Sequence, residues 1–383
     1  MNSIDWLFIF WVISDVTCYM ILWHDNAAFI NRLGYAYNAI GFYFMFRVLI
    51  RDLDDIKRTY KIVAILIIPL GFFMLAEKIT GHNAFAIFGG VDAITRIRDG
   101  SLRCQGPFAH PILAGSFGAT LCPLFFALWW QGPRNRVIAV LGILSAVTIT
   151  IASASSGPAF ALMFGILGLI MWNWRQHLRK VRWAIVCTLI GLQMVMKAPV
   201  WFLLGRVSLF SGSTGFHRAY VIDHFINHFS EWWLIGEKNT SHWGAVMSDI
   251  TNEYVFQGVE GGLLTLVFFI WIISRCFRGV GLTVRGMKDA SFPDKMSVWV
   301  LGAALLTHAV NFISISYFDQ NIVNWYMLLA MISTVSGAYL LVKQPEDSRV
   351  PFLSEAAGGR TQPSWSVKNP VSAPSRNQFR RSQ

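Results

Sequence analysis

The sequence predicts an all-α polytopic membrane protein of about ten transmembrane helices, on three observations. Hydrophobic residues make up 54% of the 383-residue chain and charged residues only 14%, where a soluble domain would carry roughly 45–50% and about 25%. Apolar runs close to the length needed to cross a bilayer recur ten times. The cations between these runs alternate. Loops on one side, with the C-terminal tail, hold twenty-one Lys and Arg, and the opposite loops hold eight. The positive-inside rule then puts both termini in the cytoplasm.

The ten runs are 6–23, 35–50, 60–77, 110–130, 137–152, 159–173, 184–204, 261–274, 297–316 and 323–342. The first is read as a retained span, because no basic segment precedes it and Asp15 and Cys18 interrupt it without a small-residue cleavage site. Residues 1–342 thus form the transmembrane domain. The tail 343–383, rich in Ser, Pro, Arg and Gln, is expected to be disordered and cytoplasmic, with basic residues near anionic lipid. The net charge of +11 follows this topology and is not a nucleic-acid footprint. Five scattered cysteines fit neither a disulfide scaffold nor a zinc ribbon.

Two loops on the cation-poor side, 78–109 and 205–260, are long enough to carry function. The first contains Arg96, Arg98 and Arg103 ahead of Gly106-Pro107, a spacing able to grip an anion through guanidinium forks or to pair with Asp92 and Asp99. His110, before Pro111 at the entry to a span, is a candidate polar contact or an interfacial histidine. In the second loop, His217 to Trp233 has helical periodicity, with Val221, Ile222, Phe225, Ile226, Phe229 and Trp232 on one arc. Arg218 projects into that arc, where a cation needs an anion or a snorkelling route. His217, His224 and His228 form an adjacent stripe, but no glutamate, cysteine or other carboxylate completes a metal set, so no metal is expected. If the loop's end is helical, Asp249, Glu253 and Glu260 share a face beside Asn252, either paired with Arg206 or Arg218 or supplying a general base.

Arg103-x-x-Gly106-Pro107-Phe108-x-His110-Pro111, the Ser153-x-Ser155-Ser156-Gly157 turn, a long loop with Arg218 and an Asn252-x-Tyr254 to Glu260-x-Gly262 helix entry, in this order, resemble the O-antigen ligase/polymerase superfamily. The resemblance covers roughly residues 50–342. It implies an inner-membrane glycosyltransferase of GT-C type that uses a polyprenyl-diphosphate-linked oligosaccharide on the periplasmic side, without metal or other cofactor. Thr251 stands where ligases of the family carry His before the Asn, which favours an exopolysaccharide or O-antigen polymerase. The chain has one N-terminal hairpin fewer than family members commonly carry.

On that footing Arg103, Arg206 and Arg218 are expected to hold diphosphate, with Arg98 beside them. Asp249 or Glu260 would act as base, and His110, Asn252 and Tyr254 would position sugars. Membrane lipid and other polysaccharide-assembly proteins are the expected partners. The alternatives are a ligase passing glycan to a lipid or protein acceptor, a transporter or flippase subunit, and a structural subunit of a synthesis complex.

Overall fold

A computed structural model describes residues 1–206 and 214–343. The long helices begin and end where the sequence supplies caps. Asn2 and Asp5 form a capping box for α1 (Ser3–Trp23), and α2 (Asn26–Leu49) follows after a left-handed His24. Asp52 caps α3 (Leu53–Thr80), which stops at a left-handed Gly81. Prolines sit in the first turn of α4 (Pro111–Phe125), continued by a 3-10 turn to Trp130, and of α5 (Pro133–Ala152). Then come α6 (Ser156–Ile170), extended to Trp174, and α7 (Leu178–Val195). The short α8 (Leu203–Arg206), α9 (Thr214–Asn227) and α10 (Phe229–Trp232) lead to α11 (Glu253–Gly286), α12 (Phe292–Asn311) and α13 (Gln320–Lys343).

Six of these helices, with their 3-10 extensions, are long and apolar enough to cross a membrane: α1, α3, α4, α5, α6 and α11. The protein is an all-α, multi-pass membrane protein. Helices α2, α7, α12 and α13 overlap the remaining four apolar runs. Of the six, α4 is the most enclosed, with 78% of its apolar stretch buried, and packs against α5, α6 and α12. Such packing between apolar helices depends on small residues that let backbones approach. A Cβ on Gly118 would stand 2.6 Å from the Ala146 carbonyl oxygen, and one on Gly71 2.5 Å from the Ser145 side chain. At the opposite end from the long loops, Asp5 accepts from Tyr43 (2.6 Å) and Ser333 (2.7 Å) and pairs with Arg47 (3.0 Å), tying α1, α2 and α13 together.

Three expectations change. The seventh run does not continue as one helix to 204: α7 ends at Val195 and Met196 is extended, since Pro199 disfavours helix just before it. The stretch from Asp249 to Thr251 is not helical, and the following helix begins at Glu253 rather than near 261. Helix α11 is itself broken at Gly262, whose φ of 69° interrupts the helical course. The expected tail from 344 onward and the side chain of Arg206 lie outside the described residues.

Candidate functional site

The C-terminal end of α3 is where the first long loop is anchored. Buried Glu77 accepts three hydrogen bonds, from the Thr95 hydroxyl (3.0 Å) and from the backbone N–H groups of Gln105 (3.1 Å) and Gly106 (2.9 Å). Lys78 donates to the Leu102 carbonyl, and Asn83 donates to that of Gly106 (2.7 Å). The segment so fastened is a hairpin of β1 (Arg96–Arg98) and β2 (Ser101–Arg103) around Asp99-Gly100, both at positive φ. Its outer arginines engage neighbours: Arg96 pairs with Asp92 at 2.9 Å, and Arg98 approaches Asp99 at 3.6 Å. Both are exposed. Arg103 turns inward.

The Arg103 guanidinium donates to Ser155 Oγ at 3.0 Å, and its buried Nε has no partner. Ser155 lies in the tight α5–α6 turn, where Ala154 takes φ 45° and Ser155 becomes the N-cap of α6. The next residue, Ser156, accepts from Arg218 of α9 at 3.2 Å. Two guanidinium groups from different loops therefore meet adjacent hydroxyls at the N-terminus of α6, where the helix dipole adds partial positive charge. Among the described residues neither arginine has a carboxylate partner. Arg218 is only 7% exposed, and burial lowers its pKa to about 10. Burial, then Arg98 and Arg96, likewise disfavours the charge on Arg103. Both remain cationic at neutral pH, in a place that favours a bound anion. Gly157 is required for this approach: a Cβ there would stand 2.6 Å from Ser314 and 3.2 Å from the Arg218 guanidinium.

His110, at the N-cap of α4, is on the same side. Its Nδ1 accepts from the Ile112 N–H at 3.3 Å. Burial, reinforced by Arg103 and Arg96, holds the imidazole below its usual pKa. It is therefore neutral near pH 7, with the proton on Nε2, and presents a donor. Asp249 is exposed, within electrostatic reach of His110, and stands just past a 3-10 turn.

The other sequence candidates make their contacts with different partners. Asn252 is a buried N-cap, its Oδ1 accepting from Val255 N–H (3.2 Å) and its amide donating to the Ile313 carbonyl (3.4 Å). Tyr254 donates to the Ala309 carbonyl at 2.9 Å. Both fasten the start of α11 to the end of α12 and the residues just past it, while Glu253 reaches the α12–α13 connection, accepting from Tyr317 N–H (2.6 Å), and also accepts from the Gln257 amide (2.8 Å). Glu260 pairs with Arg32 of α2, not with Arg218. Of the histidine stripe, the His224 and His228 rings are 6.2 Å apart, and His228 stacks on Trp243. Among the described residues no group of three possible ligands is placed to hold a metal ion.

Sequence reasoning did not single out Glu77, Arg32 or the partnership between the serine turn and the two arginines. The Asp99-Gly100 pair is a hairpin signal that would have located the strand turn. Glu77 carried no such signal. Comparison with known proteins finds no matching family model, no matching curated protein and no matching solved structure.

Proposed function

We propose that the protein is a glycosyltransferase-type polymerase of the GT-C kind, with ten spans in the bacterial inner membrane and both termini cytoplasmic. It transfers oligosaccharide from a polyprenyl-diphosphate donor during exopolysaccharide or O-antigen assembly, on the periplasmic side. The observation that carries this reading is the convergence of Arg103 and Arg218, without carboxylate partners among the described residues, on Ser155 and Ser156 at the start of α6. A diphosphate fits two planar cations beside a helix N-terminus.

The chemistry follows from charge. As the bond between the anomeric carbon and the diphosphate oxygen breaks, the leaving group gains negative charge, and preorganised guanidinium groups stabilise it most at that moment. Asp249 takes the proton of the acceptor hydroxyl that attacks the anomeric carbon, and His110 donates from Nε2 to a sugar oxygen. The donor's lipid tail stays in the bilayer.

Transport of a charged solute is a second reading, favoured by the buried charges Asp15 and Arg32 and their half-buried partner Glu260 beside the break in α11. Against it, backbone groups freed by the break are already taken up: Val259 C=O accepts from Glu237 N–H (2.8 Å), and Leu263 N–H donates to Trp233 C=O (2.9 Å).

The test is turnover of a lipid-linked donor in reconstituted membranes. Arg103→Lys and Arg218→Lys keep the charge but lose the planar fork, and each is expected to lower turnover by about 10²-fold or more. Wild-type turnover in both would remove the diphosphate assignment.

A further inference from the structure

The site described above leaves one buried ionic group unused. Asp15 of α1, Arg32 of α2 and Glu260 of α11 meet inside the apolar part of the molecule. Arg32 pairs with Glu260 through one terminal nitrogen and stands 3.6 Å from Asp15 Oδ2 through the other. The guanidinium lies over the Tyr19 ring at 3.9 Å and near that of Tyr35 at 5.1 Å. Asp15 is 2% and Arg32 6% exposed. Within this enclosure Asp15 Oδ2 has no hydrogen-bond donor and Arg32 Nε no acceptor.

The charges do not balance. Two carboxylates face one guanidinium, and among the described residues the remaining groups around them supply no second cation. From α1 these are Cys18 and Tyr19, from α2 Tyr35, from α11 Glu253 and Thr265, and from α13 Tyr326. Glu253 is another carboxylate, already held by Tyr317 N–H and Gln257. On the adjoining loop Lys238 is engaged over the Trp23 ring at 5.6 Å. Two carboxylates on one cation in an apolar enclosure cannot both ionise cheaply, and the low-cost remedy is one shared proton. Intramembrane ionisable residues grouped at a broken helix are a common form of proton site.

The position of the group gives that proton something to act upon. Glu260 precedes the break at Gly262 by two residues, and the outer loop is stitched into the break through the Glu237–Val259 and Trp233–Leu263 backbone hydrogen bonds. The same loop carries Arg218 on α9. We propose that Asp15, Arg32 and Glu260 form a binding site for one exchangeable proton, and that its occupancy sets how firmly the α1–α2 hairpin holds the broken segment of α11 and the loop stitched to it. With the proton bound the group is neutral and Arg32 clamps Glu260. Without it the excess negative charge drives Glu260 outward, toward the side from which its side chain is already 25% exposed. That exposed edge is also the proton's way in.

The proposal stands or falls independently of glycosyl transfer, because its test needs no donor. Full-length protein in liposomes is stepped in pH while infrared difference spectra follow protonated carboxyl groups and hydrogen exchange follows residues 233–237 and 259–263. Wild type should lose one carboxyl signal as pH rises, and both Asp15→Asn and Glu260→Gln should lack it, since each leaves a single carboxylate paired with Arg32. Above the titration the wild-type amides should exchange about tenfold faster than those of Asp15→Asn at the same pH, equivalent to one unit of linkage. If Asp15→Asn does not fold, Asp15→Ser takes its place in both comparisons, since it also leaves the Arg32–Glu260 pair intact. Persistence of the signal in Glu260→Gln would assign the proton to Asp15 alone and overturn the shared site. So would exchange that follows the same pH course in wild type and variants. Loss of the signal on adding sodium chloride at constant pH would make the ligand a metal cation rather than a proton.

Discussion

Asp249 and Glu260 lie eleven residues apart in sequence and meet opposite surroundings. Asp249 is exposed, within electrostatic reach of His110. Glu260 is tied to Arg32. A base must be free to accept a proton from the acceptor, so the chemistry falls on Asp249. Asp249→Asn is expected to lower turnover by about 10²–10⁴-fold while donor affinity stays near wild type, because the amide removes the base and leaves the arginines in place. Glu260→Gln should retain most turnover. Kinetics on both variants with matched expression check this, and loss of turnover confined to Glu260→Gln would reverse the assignment. At this scale the sequence was legible where arginines stood in long loops on the cation-poor side, as with Arg103 and Arg218. It was not legible where a polar side chain spends its hydrogen bonds on backbone. Asn252 and Tyr254 read as substrate contacts, but an N-cap and a tyrosine–carbonyl bond look the same in sequence as a sugar contact.

At the scale of elements, the first long loop shows how one residue at a helix end determines the aim of another beyond it. Glu77 closes an apolar run and reads as its polar boundary, yet it organises the backbone that brings Arg103 to Ser155. In Glu77→Gln the new amide group cannot accept from the Gly106 N–H, and a buried donor left without its acceptor costs about 1–3 kcal/mol. Local opening of the hairpin should rise by about ten- to a hundredfold, and trypsin should cleave at Arg96, Arg98 or Arg103 correspondingly faster in membranes. Unchanged cleavage would mean that Lys78 and Asn83 hold the hairpin alone. The helices themselves were legible because run length and caps both mark them: each of the ten apolar runs overlaps a helix of fifteen residues or more, though the seventh runs on past the end of α7. The break in α11 was hidden, because Gly261-Gly262 reads equally well as the entry to a span and as an interruption within a longer helix.

For the whole molecule, helix ends that carry the candidate site gather at one end of the bundle. Cys104 N–H donates to the Ala152 carbonyl (3.1 Å), joining the hairpin to the α5–α6 turn. The Glu253 N–H donates to the Phe312 carbonyl (2.8 Å), and Asn321 reaches the Leu113 carbonyl (3.0 Å). The loops at this end are the cation-poor ones, so the site and the charge asymmetry make a joint prediction: the hairpin faces the periplasm and the α11–α12 connection faces the cytoplasm. The native cysteines are poor reporters of this, since Cys104 and Cys276 are buried and Cys187 is the exposed one. With Cys187 replaced by serine, Ser101→Cys at the hairpin turn and Asp289→Cys in the α11–α12 connection place a thiol at exposed positions. An impermeant thiol reagent added outside intact spheroplasts should label the cysteine at 101, and should label that at 289 only after permeabilisation. Labelling of both from outside would break the alternation of spans between them. Labelling of 289 alone would keep the alternation but invert it, placing Arg103 and Arg218 on the cytoplasmic side, where a periplasmic polymerase could not use them.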